Sequence, residues 1–260
     1  MLTLALIVGL CGASNSLLSV FVPKTVSPPP QIRQIPLTEY HSWQSFQHGP
    51  ENPQTPFARY QITTTSPTLL LMTSYVLPGA SFSYQLNGAL LQNTSMPTSS
   101  TKNAQPMLDP QEAFQSAMFS HATLVLDIGP HALDVRVGRS PFENGLMALK
   151  LVHLPISPIY HADYFLVNMV VPVHLANRTC QAFSSHLVHL PSQKELSQVM
   201  QTFGGEQVFY IGGYEEVEYD GSPLVVVPGK NGLTKVTKDI WKNEKAMVLC
   251  HRRYPPQQKQ

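Results

Sequence analysis

Apolar and polar residues alternate in short segments from about residue 37 to residue 155, and this pattern predicts β-strands. The alternation is clear at Tyr60, Ile62 and Thr64, where every second side chain would face the same side of a sheet. Asn87 and Gly88 form a dipeptide that strongly favours a tight hairpin turn. Short strands separated by turns are typical of an antiparallel β-sandwich, here jelly-roll-like. The other apolar segments cover residues 69–72, 82–86, 124–128, 133–137 and 147–151, with a turn predicted at 129–131.

Helical patterns are rare in this first part and more frequent after it. Asp109, followed three residues later by Glu112, predicts the start of one short helix. After a strand predicted at 165–167, residues 173–183 are predicted to form a second helix. Ser192 and Glu195 form a capping box that opens a third helix, whose apolar face consists of Leu196, Val199, Met200 and Phe203. The C-terminal part is therefore predicted to be an α+β domain, and the fold as a whole to be mixed.

The segment of residues 2–22 is apolar and contains no charged residue. Its first part has the length of a signal-peptide core, and small residues near Ala13 offer a cleavage point. If it is not cleaved, the whole segment is long enough to anchor the chain in a membrane. The predicted organisation is a leader at 1–22, a proline-rich spacer at 23–36, a β-sandwich at 37–156, an α+β domain at 157–253 and a tail at 254–260.

The composition of the chain excludes one class of partner. Only 13% of the residues are charged and the net charge is +1, whereas ordinary soluble domains have about a quarter charged residues. Nucleic acid requires a strongly basic surface, so it is not predicted as a partner. The 23 prolines favour a loop-rich, extracellular β protein. A membrane is a predicted partner only if the leader stays uncleaved.

Cysteine and sequon positions also favour export. Cleavage of the leader removes Cys11 and leaves Cys180 and Cys250, an even count that suits one disulfide in an oxidising compartment. Two buried free thiols are the alternative that the count leaves open. Asn93 and Asn177 each begin an Asn-x-Ser/Thr triplet, so both are candidate N-glycosylation sites of a secreted protein.

Several motifs give the chain a resemblance to a group of secreted fungal proteins. Residues 60–68, 81–88, 113–120 and 129–131 match, in order, a module of that group. The C-terminal order of Cys180, the capped helix, Phe209-Tyr210-Ile211-Gly212-Gly213 and Cys250 resembles a C-type lectin-like domain. In the fungal group such a domain commonly follows the sandwich. The resemblance covers most of residues 57–251 and implies a binding role outside the cell or in the cell wall.

No metal site or cofactor is predicted. Sugar-binding lectin-like domains bind Ca²⁺ through a carboxylate and amide pair beside a proline and through a Trp-Asn-Asp triplet. Residues 225–232 and 238–244 stand in the corresponding region and contain neither motif, and Ca²⁺ needs about 6–8 oxygen ligands. His186 and His189 are predicted to point in different directions, which does not suit zinc. His161 and Asp163 are likewise read as surface residues.

Catalytic motifs are absent from the sequence. There is no Gly-x-Ser-x-Gly nucleophile motif. Asp127 and Asp134 lie seven residues apart, and nothing in the sequence brings their carboxylates together. No catalytic residue is therefore assigned, and the chain is predicted not to be an enzyme.

Aromatic side chains are the remaining candidates for function, because calcium-free sugar binding uses ring faces beside amides and hydroxyls. Burial in a core is the alternative for each of them. The predicted ligand-binding candidates in the second domain are Tyr210, Tyr214, Tyr219 and Trp241, and those ahead of the first are Tyr40, Trp43 and Phe46.

The sequence thus predicts a secreted or cell-wall-associated binding protein that recognises a glycan or promotes adhesion without calcium. Its predicted partner is a cell-wall or surface glycan, or an extracellular protein. The alternatives are a structural, protein-interacting component of the wall or matrix, and a hydrolase of wall polysaccharide.

Overall fold

The structure of the protein is a computed structural model, and strands dominate its fold. It describes residues 32–38, 40–98, 106–159, 161–203, 207–214, 223–228, 234–237 and 245–252. The leader and the C-terminal tail of the sequence analysis lie outside these ranges. Within them, no helix combines the length and the hydropathy that a membrane span requires. The described residues belong to one compact unit.

The first part of this unit is a sandwich of two facing sheets. Its strands are β1 Arg33–Leu37, β2 Gln44–His48, β3 Ala58–Thr64, β4 Thr68–Tyr75, β5 Ser81–Leu86, β6 Gln92–Asn93, β7 His121–Leu126, β8 Gly129–Arg139 and β9 Gly145–His153. One sheet has the order β1-β3-β8-β5-β6, and its only parallel pair among these strands is β1 with β3. The other has the order β2-β9-β4-β7 and is antiparallel.

Alternating burial explains why these segments form strands. In β3, Tyr60 and Ile62 are buried between the sheets, whereas Gln61 is exposed. In β4 nearly every residue is buried, because Leu70 faces the sandwich core while Leu69 packs on the opposite side. A strand covered on both faces has no polar alternation, so the continuous apolar run in β4 follows from its position. The antiparallel β-rich fold that the alternation predicts is confirmed.

The hairpin turn predicted at Asn87 and Gly88 is confirmed. Both residues have positive φ, 51° and 73°, and the amide of Ala89 donates to the carbonyl of Leu86 at 2.9 Å. Positive φ at both central positions defines the type I′ turn, which Asn-Gly favours. The turn joins β5 to β6.

Two predictions about this region are wrong. Residues 129–131 do not form a turn, because β8 begins at Gly129 and the connection from β7 consists of Asp127 and Ile128. Residues 33–36 do not belong to a spacer, since they form strand β1 with Leu37 buried in the core. Pro36 is tolerated there because β1 lies at the edge of its sheet, where a missing N–H leaves no partner unsatisfied.

The helix predicted from Asp109 is confirmed as α1 Pro110–Gln115. The Asp109 side chain accepts a hydrogen bond from the amide of Gln111 at 2.8 Å and so caps the first turn. Proline at the first helical position fits, because the amide there needs no intrahelical partner.

The C-terminal part combines helices with a further sheet. Its helical elements are a 3₁₀ turn at Val173–Leu175, α2 Ala176–Ala182 and α3 Gln193–Phe203. Its strands are β10 Tyr164–Pro172, β11 His186–Leu187, β12 His189–Leu190, β13 Phe209–Ile211, β14 Gly213–Tyr214, β15 Leu224–Pro228, β16 Thr234–Thr237 and β17 Lys245–His251. The main sheet has the order β10-β17-β13-β15-β16, with β11 paired to β17, and β12 pairs separately with β14.

The predicted helical patterns in this part are confirmed. The Ser192 hydroxyl accepts from the amide of Glu195 at 3.3 Å, as expected of the capping residue of α3. The apolar face of α3 is buried and consists of Leu196, Val199, Met200 and Phe203. The helix predicted at 173–183 is the 3₁₀ turn followed by α2.

One apolar cluster connects the sandwich with the C-terminal elements. Leu69 and Val125, on the outer face of the β2-β9-β4-β7 sheet, belong to the same buried cluster as Phe165, Leu175 and Val248. Burial of this apolar surface is the main force that packs the two parts together.

Replacing Tyr60 by phenylalanine should stabilise the protein. Tyr60 is 0% exposed, its hydroxyl has no hydrogen-bond partner among the described residues, and burial raises its pKa. A buried hydroxyl without a partner is unfavourable, so Tyr60→Phe should raise the free energy of unfolding by about 1 kcal/mol in urea denaturation. Tyr164→Phe is the control and should lower the free energy of unfolding, because the hydroxyl of Tyr164 donates a hydrogen bond to Glu195 at 3.0 Å. A loss of stability in Tyr60→Phe would show that the hydroxyl has a partner.

Candidate functional site

A groove runs along one edge of the sandwich, where β6 ends one sheet and β7 ends the other. Ser95 and His121 hold the two edges together. The amide of Ser95 donates to the carbonyl of His121 at 2.9 Å, and the amide of His121 donates to the Ser95 hydroxyl oxygen at 2.9 Å. The floor of the groove is therefore fixed by the sheets and not by a loop alone.

The groove has a volume of about 270 Å³ and draws on both parts of the fold. Pro172, at the end of β10, and His174, in the 3₁₀ turn, form the side contributed by the C-terminal elements. A volume of this size suits a short segment of a chain molecule. The lining residues are Tyr84, Asn93, Ser95, Phe114, His121, Ala122, Thr123, Pro172 and His174.

Aromatic rings form a row that leads into this groove. The Phe114 and His121 rings meet edge to face, with centroids 5.5 Å apart. Trp43 packs on Phe114 with a centroid distance of 5.8 Å, and its indole N–H donates to Gln111 at 3.2 Å. Phe114 comes from α1, so the cap at Asp109 contributes to the position of this ring. Partly exposed rings of this kind can stack on the apolar face of a sugar.

The polar groups of the groove are hydroxyls, an amide and the imidazoles of His121 and His174. None of the described residues that line it is Asp, Glu, Lys or Arg. Hydroxyls of Ser95 and Thr123 and the amide of Asn93 provide donors and acceptors. Burial raises the pKa of Tyr84, so its hydroxyl stays protonated. The groove therefore suits a neutral ligand rich in hydroxyl groups.

Cys180 and Cys250 form a disulfide, as one of the two sequence readings predicts. The S–S distance is 2.00 Å and the Cα atoms are 5.5 Å apart. The bond joins α2 to the last strand, β17, inside the cluster that connects the two parts of the fold. The alternative of two free thiols is excluded.

The predicted ligand-binding tyrosines require a correction. Tyr210 is 0% exposed and Tyr214 is 4% exposed, so neither ring offers a face to a ligand. Tyr210 pairs with Val225 and Val248 on the two neighbouring strands, which explains its burial. Tyr219 and Trp241 lie outside the described residues.

The aromatic candidates near the N-terminus have different surroundings. Tyr40 stacks on His153 with a centroid distance of 4.0 Å. Phe46 meets the buried ring of Tyr60 edge to face at 4.8 Å and packs against the sandwich core. Of these candidates, Trp43 is the one that the fold places beside the groove.

The histidines considered for zinc lie on separate elements. His186 stacks on His251 at 5.0 Å, whereas His189 lies against the backbone of Gly213 in the β12–β14 pair. His161 accepts a hydrogen bond from the amide of Asp163 at 3.1 Å. Within the described ranges, no group of three or more His, Cys, Asp or Glu side chains could hold a metal ion.

The two aspartates considered for hydrolysis have different partners. Asp134 forms a bidentate pair with Arg59, with distances of 2.6 and 2.7 Å. Asp127 lies 3.7 Å from the His131 ring and 3.9 Å from Arg178. Each carboxylate therefore has its own neighbouring cation.

The candidate glycosylation sites differ in their relation to the groove. Asn93 is exposed, lines the groove and accepts a hydrogen bond from the Ser83 hydroxyl at 2.7 Å. Asn177 is exposed on α2 and does not line the groove. A glycan attached to Asn93 would occupy the same space as a ligand, whereas one on Asn177 would extend from α2.

Several groove residues were not predicted as functional, namely Tyr84, Ser95, Phe114, His121, Thr123 and His174. They come from distant segments, and only the pairing of strands and the packing of α1 bring them together. The sequence of α1 could have indicated Phe114 as a functional residue, because this short capped helix carries the ring among polar residues.

The sequence matches no protein-family model. No curated protein matches it either. Among solved structures, one similar chain is the pre-peptidase C-terminal domain of a collagenase from Bacillus anthracis, at 10% identity and a TM-score of 0.28. The match covers 48% of this chain and 98% of that domain. Such a distant likeness does not inform the function.

Proposed function

We propose that the protein is an extracellular or cell-wall-associated binding protein that recognises a neutral glycan, without calcium, in the groove between β6 and β7. The observation that carries the proposal is the pair of Phe114 and His121 rings beside Asn93, Ser95 and Thr123. Apolar ring faces with amides and hydroxyls at their sides are the combination that a pyranose requires.

The disulfide supports the cellular part of the proposal. Disulfides form and persist mainly in oxidising compartments. Cys180 and Cys250 are both 0% exposed, so their bond is part of the buried core. An export route through the predicted leader is consistent with this chemistry.

The topology of the C-terminal part supports the proposed lectin-like domain. Its first strand, β10, pairs antiparallel with its last, β17, and the disulfide ties the helix α2 to that last strand. Helix α2 follows the first strand, the short strand β11 then pairs with β17, and α3 precedes the return of the chain to β13. These features agree with the resemblance to a C-type lectin-like domain. The proposed sugar site nevertheless lies at the edge of the sandwich.

Binding, and not hydrolysis, is the proposed activity of the groove. Glycoside hydrolases generally use a pair of carboxylates beside the scissile bond. The described lining of the groove has no carboxylate, and its hydroxyl and amide groups are suited to recognition.

Retention on insoluble polysaccharide tests the proposal. The full-length secreted protein is incubated with chitin, β-1,3-glucan and mannan, each with and without a calcium chelator. We expect retention on at least one of them, unchanged by the chelator. The variant Asn93→Gln is included because a glycan on Asn93 would fill the groove. Loss of retention with chelator would contradict calcium-free binding, and no retention of either protein would reject glycan recognition.

A further inference from the structure

Two histidines and a tyrosine meet at the end of strand β9, and none of them lines the groove. His153 is the last residue of β9. Tyr40 stacks on its ring, with centroids 4.0 Å apart and planes 14° apart. The ring of His41 lies 5.5 Å from that of His153, and the planes of the two imidazoles are inclined at 63°. These three residues are called the histidine cluster below.

The backbone at residues 40 and 41 explains why two consecutive side chains reach the same histidine. In a regular strand they would point to opposite faces of the sheet. Tyr40 forms an isolated parallel bridge with Leu151, and the amide of His41 donates to the carbonyl of Leu151 at 2.7 Å. His41 has φ of 65°, in the left-handed region, which interrupts the alternation of a strand. The rings of Tyr40 and His41 therefore both lie beside His153.

The three ring centroids show from which side His41 approaches His153. The centroids of Tyr40 and His41 are 6.4 Å apart, so the three distances form a nearly right-angled triangle with its right angle at His153. Because Tyr40 covers a face of the His153 ring, His41 lies close to the plane of that ring and beside its edge. The lone pair of an imidazole nitrogen lies in the ring plane. An ion bound at this edge of His153 would therefore be next to His41.

Ser66, in the connection between β3 and β4, holds the ring of His153 from another side. Its hydroxyl oxygen lies 2.7 Å from Nδ1 of His153. When Nδ1 donates its hydrogen to this oxygen, the lone pair of the neutral ring is on Nε2. Nε2 is not among the buried unpaired atoms, and neither it nor the exposed ring of His41 has a hydrogen-bond partner among the described residues. Histidines that bind metals commonly have their second nitrogen held in this way.

We propose that His41 and His153, the latter oriented by Ser66, bind a divalent transition-metal ion and prefer Cu²⁺ to Zn²⁺. Two imidazoles that bind one ion at about 2.0–2.1 Å place their ring centres about 5 Å apart, and the observed distance of 5.5 Å is close to this value. Imidazole suits copper, nickel and zinc, and among divalent ions the affinity is highest for Cu²⁺. Since the described residues contain no group of three or more His, Cys, Asp or Glu side chains that could hold a metal, water completes the coordination. This site is independent of the glycan groove.

Titration of the full-length protein with Cu²⁺ and with Zn²⁺ tests the site, in a buffer whose glycine removes weakly bound metal. We expect Cu²⁺ to bind more tightly than Zn²⁺. His41→Asn removes one imidazole but keeps a residue that tolerates a left-handed backbone, so the fold should be retained. It should weaken Cu²⁺ binding at least about tenfold, since even the loss of a residue that only orients a ligand costs about 10–100-fold. Wild-type affinity in His41→Asn, or no Cu²⁺ binding by the wild type, would overturn the proposal.

A spectroscopic readout and a matched control place the ion at this cluster. Electron paramagnetic resonance of the bound Cu²⁺ should show two imidazole nitrogens in the wild type and one in His41→Asn, and Ser66→Ala should weaken binding about tenfold without changing the count. His186→Ala is the control. This exposed histidine stacks on His251 with planes 14° apart and centroids 5.0 Å apart, so the lone pairs of that pair do not point at a common ion. An equal loss of affinity in His186→Ala and His41→Asn, or the same nitrogen count in the wild type and His41→Asn, would contradict the proposal.

Discussion

Replacing Cys180 and Cys250 together by alanine is expected to lower the free energy of unfolding by about 4 kcal/mol. The bond closes a loop with a sequence separation of 70 residues, and a cross-link of that span removes much conformational freedom from the unfolded chain. Both sulfur atoms are buried in the cluster that packs the C-terminal elements on the sandwich. The loss should therefore weaken the attachment of α2 to β17 as well.

Urea denaturation measures this effect, with reductant as an internal control. The wild-type protein treated with reductant should become about as unstable as the double variant, while the same treatment should leave the double variant unchanged. A double variant within about 1 kcal/mol of the oxidised wild type would show that the bond contributes little. A reductant effect on the double variant would indicate that another group is responsible.

Replacing both Phe114 and His121 by alanine should weaken glycan binding by about 30-fold. Each ring that stacks on a sugar is assigned about 1 kcal/mol beyond its buried area, so the pair accounts for about 2 kcal/mol. The fold should tolerate the change, since both side chains are only partly buried. Affinity is measured for the polysaccharide that retains the wild-type protein.

Two further variants separate recognition from folding. Phe57→Ala removes a partly buried ring that packs on Phe82 away from the groove, and it should leave glycan affinity unchanged. Thr123→Val keeps the shape of the side chain and its strand propensity but removes one groove hydroxyl, so it should lower affinity severalfold without a loss of stability. An equal loss of affinity in Phe57→Ala and in the double variant would indicate a general loss of structure. Wild-type affinity in the double variant would remove the groove from the binding site.

The strands of the sandwich core could be predicted because a half-buried strand must alternate. β3 shows this directly, with Tyr60 and Ile62 inward and Gln61 outward. β2 was missed although the same rule applies, because its inward positions are Phe46 and His48 among polar residues. β1 was missed because Pro36 reads as a linker residue, and only its edge position makes a proline acceptable there.

The groove could not be predicted from the sequence, because no local pattern contains it. Ser95 and His121 are 26 residues apart, and their contact depends on the meeting of two sheet edges. The same limit explains the error at Tyr210. The sequence left its ring either as a ligand-binding candidate or as a core residue, and strand β13 places it between two apolar neighbours. Burial at such a position is decided by the sheet and not by the residue type.

Hydrogen exchange in the presence of a bound oligosaccharide tests the central claim most directly. The probe is a soluble hexasaccharide of the polysaccharide that retains the protein, for example laminarihexaose or chitohexaose. Binding in the groove predicts slower amide exchange in the peptides that contain Asn93 to Ser95 and His121 to Thr123, with or without chelator. Protection confined to the C-terminal sheet around Leu224–Pro228, or protection that requires calcium, would contradict the account.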